Sequence, residues 1–216
     1  MRSEESGGVA GEDLTEITSL TELQQAVNAC EGCPLRQSRT NTVFGVGNPR
    51  SDLVFIGEAP GFNEDQKGEP FVGAAGRLLD ELLISILGLA RKDIYIANVL
   101  KCRPPGNRDP LPEEIAHCRR FLDKQIELIE PRVICSLGNH ATRVILDENI
   151  NISRIHGKPL QKDGHWIFPT YHPAAALYAG AIRQLLADDF KTLGELLSEG
   201  AAPQAAVGGT EQMGLF

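Results

Sequence analysis

Four short apolar runs punctuate the chain, and the stretches between them carry apolar residues at the three-to-four spacing of a helix. The runs at 51–57 (around Leu53-Val54-Phe55-Ile56), 93–99, 132–137 and 165–170 read as strands, the first three without polar alternation, as expected when both faces are covered. Helical spacing marks 19–30 (Leu20, Leu23, Ala26, Val27), 76–89 (Leu78, Leu79, Leu82, Leu83), 112–130, 139–147 and 174–197, the last as one helix or a pair. The helix at 112–130 opens on Pro112 with two acids in its first turn, which suits the dipole of a helix start. Strands alternating with helices predict an α/β fold: a three-layer α/β/α sandwich around a central, mainly parallel four-stranded sheet.

The polar ends frame that domain. Residues 1–18 are acidic and Gly-containing, 199–216 are rich in Ala, Gly, Pro and Gln, and both are expected to be disordered around a folded domain at 19–198. Neither an 18-residue apolar run nor an apolar leader is present, so neither a membrane span nor a secretory signal is expected. The formal net charge of −8 sits largely in the two ends, which leaves the body with local basic clusters at Lys101/Arg103/Arg108 and Arg119/Arg120/Lys124. A phosphate-binding track needs only such a local patch, so the charge excludes no partner class.

Five cysteines without a leader point to a reducing, cytoplasmic compartment, where ligation is a better reading than disulfides. Cys30-Glu31-Gly32-Cys33 has the shape of a metal knuckle, and Cys102 and Cys118 form a second, wider pair. Four thiolates would hold zinc or an iron–sulfur cluster; a redox dithiol and plain core thiols are the competing readings. Cys135, inside an apolar strand, is a core residue.

In a parallel sheet the strand ends share one edge, and ligands bind there. Glu58 ends the first strand, Asn98 the second, and His172 follows the fourth, while Phe71 stands between Pro70 and Gly73 in the first loop, read as an exposed aromatic. Each has a bland reading: a loop-anchoring acid, a turn amide, a helix-start turn, a core ring. Together they offer a flat wall, an amide, an imidazole and a carboxylate, the set that suits a planar heterocycle such as a base flipped from DNA.

The strings Gly57-Glu58-Ala59-Pro60-Gly61, Gly68-Glu69-Pro70-Phe71-Val72-Gly73, Asn98-Val99-Leu100-Lys101-Cys102-Arg103-Pro104-Pro105-Gly106-Asn107-Arg108 and His172-Pro173 resemble those of the family 4 uracil-DNA glycosylases, in the same order. The resemblance implies hydrolysis of the bond between uracil and deoxyribose in single- and double-stranded DNA by a monomer, as the first step of base excision repair. It also implies a structural [4Fe–4S] cluster on Cys30, Cys33, Cys102 and Cys118. By similarity Phe71 stacks on uracil, Asn98 reads its N3/O4 edge, the Glu58–Ala59 backbone approaches O2, and His172 donates to O2. Thymine must be excluded by a wall, for which Phe71 and the loop around Glu64 are the candidates. Where a better-known branch carries a water-activating Asp, this chain has Ala59, so Glu64 and Asn107 become the candidates for placing water, with Glu58 as catalyst or loop anchor. Relatives that trap uracil covalently use a His after the second strand; Pro104-Pro105-Gly106-Asn107 stands there, so turnover is expected. The last residues, Gln212-Met213-Gly214-Leu215-Phe216, look like a sliding-clamp docking motif on a flexible tether. The competing function is a metal-stabilised α/β module that binds damaged DNA or a nucleotide without cleaving it.

Overall fold

The computed structural model describes residues 14–199. Its sheet comprises β1 (Val46–Gly47), β2 (Leu53–Gly57), β3 (Tyr95–Asn98), β4 (Val133–Leu137), β5 (Leu160–Lys162) and β6 (His165–Thr170). The order across the sheet is β1-β3-β2-β4-β6-β5. The four predicted strands are its parallel centre, with Gly57 level with Asn98 and Ile134 level with Val54 and Ile167. Each edge carries one short antiparallel strand, so the sheet has six strands rather than four. These edges are two and three residues long, too short for any periodicity to show.

Helices α1 (Leu20–Ala29), α2 (Phe62–Lys67), α3 (Ala74–Leu82), α4 (Pro112–Ile129), α5 (Gly138–Leu146), α6 (Ile152–Ile155), α7 (Pro173–Ala176) and α8 (Gly180–Ser198) complete the fold. Strand alternation sorts the core into two layers. Val54, Ile56, Tyr95, Ala97, Ile134 and Ile167 meet α1, α4 and α5 on one face. Leu53, Phe55, Ile96, Val133, Cys135 and Phe168 meet α3 and α8 on the other. Cys135 is fully buried there, a core thiol as expected.

Local chemistry sets the element ends. Ser19 caps α1 in a reciprocal capping box with Glu22, which satisfies two otherwise orphaned N–H groups. The helix expected at 76–89 is α3 followed by a π-helical turn over Leu83–Leu87, stopped by Gly88 in the left-handed conformation. The expected helix at 174–197 is the pair α7 and α8. No helix among the described residues is long and apolar enough to cross a membrane.

The chain runs from β2 outward to β3, then returns across β2 to β4 and β6. The strand order therefore reverses beside β2, and a crevice opens outside the carboxyl ends of the strands at such a point.

Candidate active site

A pocket of about 350 Å³ occupies that crevice, within the range of small-ligand sites. Its lining comes from the loops after β2, β3 and β6 and includes Glu58, Ala59, Glu64, Phe71, Asn98, Asn107 and His172. Every predicted pocket residue is thus brought to one cavity, although 114 positions separate Glu58 from His172 in the sequence.

Asn98 forms the floor. It is the last residue of β3 and only 2% exposed, yet its side-chain amide bonds to no protein group among the described residues. Asn98 lines the pocket, so its amide donor and acceptor are free to pair with a ligand there. Its backbone carbonyl is held: the buried Lys101 ammonium donates to it at 2.7 Å. Lys101 also donates to Gln125 on α4, and Gln125 in turn donates to the Phe44 carbonyl and the Tyr95 hydroxyl. The end of β3 is therefore fixed to α4 by a buried polar chain. Burial lowers the Lys101 ammonium to about 8.

Phe71 is 6% exposed rather than the exposed aromatic expected from its Pro/Gly surroundings. The reason is backbone strain. Phe71 has φ +56°, a left-handed conformation unusual for a bulky residue, and this bend turns the ring inward. Its ring then stacks on the His172 imidazole with centroids 5.5 Å apart. Arg91 secures the bend by donating to the Pro70 carbonyl at 3.0 Å and to the Phe71 carbonyl, while Asp80 accepts from its Nε at 2.6 Å. Gly76 leaves room for that bend: a Cβ there would lie 1.6 Å from the Phe71 carbonyl oxygen.

His172 caps α7 through Nδ1, which accepts from the Ala174 N–H at 3.1 Å. An Nδ1 that accepts carries no proton, so in the neutral ring the proton sits on Nε2. Burial holds the imidazole down at about 4, with the Glu64 charge pulling weakly the other way. At neutral pH His172 is an uncharged Nε2–H donor.

The two glutamates differ in what holds them. Glu64 Oε1 accepts from the backbone N–H groups of Val72 and Gly73, both at 2.9 Å. It closes the loop that carries Phe71. Glu58 is half-buried; burial raises its carboxyl, the nearby His140 pulls it back down and Asp109 pushes it up. His140 Nε2 lies 3.9 Å from Glu58 and 3.6 Å from Asp109. Neither His140 nor Asp109 is among the residues the sequence pattern singles out, although His140 follows the end of β4, a central strand like those that carry Glu58 and Asn98. Asn107 also has φ +56°, and its Oδ1 accepts from Arg103 Nε at 2.6 Å.

The expected basic clusters are largely not free patches. Lys101 is buried, Arg108 pairs with Glu114, and Lys124 is nearly buried and pairs with Glu127. Arg119 lies between Asp123 and Asp147.

Cys30, Cys33, Cys102 and Cys118 line a second, apolar cavity where α1, the loop after β3 and α4 meet. Nitrogen donors face the sulfurs. Arg39 donates to Cys102 Sγ at 3.3 Å and the Lys101 backbone N–H to Cys118 Sγ at 3.3 Å. Such donors suit thiolates, whereas burial alone raises the thiols of Cys33, Cys102 and Cys118. Zinc, with bonds of about 2.3 Å, draws its sulfurs to roughly 3.8 Å from one another. Among the described residues no three of these sulfurs gather within 4.8 Å. Four cysteines around one cavity, with nitrogen donors beside two of the sulfurs, are a donor set suited to a thiolate-bound metal centre.

The model of the uracil DNA glycosylase superfamily matches residues 44–191. A type-4 uracil-DNA glycosylase of Archaeoglobus fulgidus is 49% identical over 83% of this chain and 94% of its own length. That of Sulfurisphaera tokodaii is 47% identical over 83% and 86%, and that of Thermotoga maritima 44% over 83% and 93%.

Proposed function

Because the chain belongs to the uracil DNA glycosylase superfamily and to its type-4 branch, we propose that it flips uracil out of DNA and hydrolyses the N-glycosidic bond, leaving an abasic site for base excision repair. The observation that carries this reading is Asn98: a buried amide with no protein partner, beside Phe71 and His172 in one base-sized pocket. Phe71 stacks on the extruded base. The Asn98 amide pairs with uracil O4 and N3–H; cytosine swaps donor and acceptor there and leaves both buried groups unpaired. The backbone of Glu58 and Ala59 approaches O2, and His172 Nε2–H donates to the same oxygen. As the C1′–N1 bond breaks, its electron pair moves onto the base, and a preorganised neutral donor stabilises that charge. The sugar becomes oxocarbenium-like, so a carboxylate nearby helps electrostatically and places the water that attacks C1′.

That carboxylate is assigned to Glu58. Glu64 has one oxygen committed to two backbone N–H groups, so its role is to shape the Phe71 loop. Asn107 is committed to Arg103. No side chain of a His-bearing insertion faces the pocket from the 104–107 loop, which supports turnover over covalent trapping.

The four-cysteine cavity supports a structural [4Fe–4S] cluster on Cys30, Cys33, Cys102 and Cys118. Glycosidic hydrolysis is redox-neutral, so the group's part is to tie α1 to α4 and to the pocket loop that begins at Cys102. Single- and double-stranded DNA are both substrates in this reading, the protein acts as a monomer in a reducing intracellular compartment, and the tail ending Gln212-Met213-Gly214-Leu215-Phe216 docks on a sliding clamp. That tail lies outside the described residues.

The test is incubation with a uracil-containing oligonucleotide followed by alkali, with strand scission at uracil as the expected result. Asn98→Ala and His172→Ala should each lower the rate by orders of magnitude while the fold persists. Binding to the oligonucleotide without scission would instead identify a non-catalytic damage-binding module.

A further inference from the structure

One large apolar side chain at the pocket rim is more than half exposed. Phe62, the first residue of α2, is 55% exposed, and the residue before it, Gly61, lines the pocket. Across the rim, Arg103 places its guanidinium over the Phe62 ring, 5.1 Å from the centroid, and the residue after it, Pro104, lines the same pocket. Arg103 is oriented through Nε by Asn107, itself held in the left-handed conformation. Its two Nη groups bond to nothing among the described residues, and no carboxylate pairs with it there. By contrast, the Arg108 guanidinium, five residues on, is taken up by Glu114. A half-exposed ring with a positioned guanidinium over one face, its Nη groups unbonded among the described residues, combines the two features by which proteins hold unpaired nucleotides: stacking on the base and a cation for its phosphate.

We propose that Phe62 and Arg103 form a second nucleotide subsite, which holds the unpaired base next to the flipped uracil by stacking on the half-exposed Phe62 ring, with its phosphate on the Arg103 guanidinium. The proposal rests on the uracil reading of the pocket. The geometry gives it a direction. A neighbouring base in a duplex is already stacked and paired, so the subsite favours single-stranded substrate, where that base has no competing partner. Asn107 acts here as a positioning residue, because it holds Arg103 rather than the reacting atoms.

The experiment uses the full chain and two readouts. In the first, KM is measured for one uracil-containing oligonucleotide as single strand and as duplex. Phe62→Ala should raise the single-strand KM by about tenfold, toward the lower end of the range for one lost base–aromatic stack, and the duplex KM by much less. Phe62→Trp should restore it. Arg103→Ala should reduce the salt dependence of binding by about one phosphate contact, and Arg103→Lys should retain it. In the second, 2-aminopurine is placed on either side of a non-hydrolysable deoxyuridine analogue. Wild type should quench its fluorescence on one side, Phe62→Ala should not, and Phe62→Trp should. Single-strand KM and quenching within twofold of wild type in Phe62→Ala would overturn the subsite. Wild-type protein that releases no uracil would overturn the glycosylase reading instead, and the quenching readout, which needs no turnover, would still decide the subsite.

Discussion

Gly57 is the position where a single added methyl tests the pocket without testing the fold. It ends the central strand β2, level with Asn98, and its φ is not in the left-handed region, so alanine fits the backbone. A Cβ there would stand 2.3 Å from Asn98 Oδ1 and 2.7 Å from Phe71 Cζ, roughly 1 Å inside ordinary contact with the first. Asn98 Oδ1 can yield only by rotating away from the edge on which it is proposed to read uracil, and Phe71 only by tilting off the plane of the base. Replacing glycine within a strand is otherwise favourable by about 0.5–1 kcal/mol, which offsets much of the local strain. Gly57→Ala should therefore melt within a few degrees of wild type and lose about a hundredfold in kcat/KM, the usual scale for a 1 Å misplacement of positioning groups. Inhibition by free uracil should weaken in parallel, because the same two side chains bind the product. Gly180→Ala, where a Cβ meets nothing within 4 Å, is the matched control and should keep full activity. A Gly57→Ala protein within threefold of wild type on kcat/KM would refute the placement of Asn98 and Phe71 as base-reading groups.

Glu64 and Glu58 should separate by their amide variants: Glu64→Gln keeps an acceptor for Val72 and Gly73 and should stay within about tenfold of wild type, whereas Glu64→Ala, which orphans two N–H groups at about 1 kcal/mol or more each, should lose stability as well as rate. The pH profile of kcat/KM on single-stranded DNA should fall as pH drops through the raised pKa of Glu58, above the ordinary carboxylate value of about 4.3, because the ionised form is the active one; Glu58→Gln should be slow and flat across that window. His172 is neutral down to about pH 4, so an acid limb near the ordinary imidazole value of about 6.5 that vanishes in His172→Ala would contradict its role as a neutral donor. Cys118→Ser should abolish the brown colour of the purified protein and lower its melting temperature by more than about 5 °C, since α1 and α4 lose their common anchor; a colourless wild type that binds stoichiometric zinc would overturn the cluster.

The central sheet was legible because β2, β3 and β4 are buried on both faces and therefore written as unbroken apolar runs. The edge strands were not, because pairs and triplets of residues carry no period, and β1 is fixed by close approach: a Cβ on Gly47 would stand 1.9 Å from the Ile94 carbonyl oxygen. The pocket residues were legible as strand ends, but their exposure was not. Phe71 looks exposed between Pro70 and Gly73; the Arg91 clamp that turns its ring inward comes from 20 residues away, beyond any local pattern. The basic clusters misled for the same reason, since charge in a sequence shows no partners. Glu114, Asp147 and Glu127 pair with three of those six cations and Lys101 is buried, so Arg103 stands out only once their settings are known.

The exchange of roles proposed for the two glutamates rests on a helix that composition hid. The stretch from Gly61 to Gly68 reads as a loop because glycines bound it and acids fill it, yet α2 occupies Phe62–Lys67. One turn of helix puts Glu64 at its inner side, where Oε1 meets the Val72 and Gly73 N–H groups, so one of its two oxygens is committed to closing the loop on itself. Glu58 precedes the helix, has no backbone N–H on its carboxylate among the described residues, and sits instead in a half-buried setting that raises its pKa. An acid that organises backbone needs to stay ionised and occupied; an acid that receives a proton from water needs a free oxygen and a higher pKa. In the proposed assignment the two requirements fall on separate residues six positions apart.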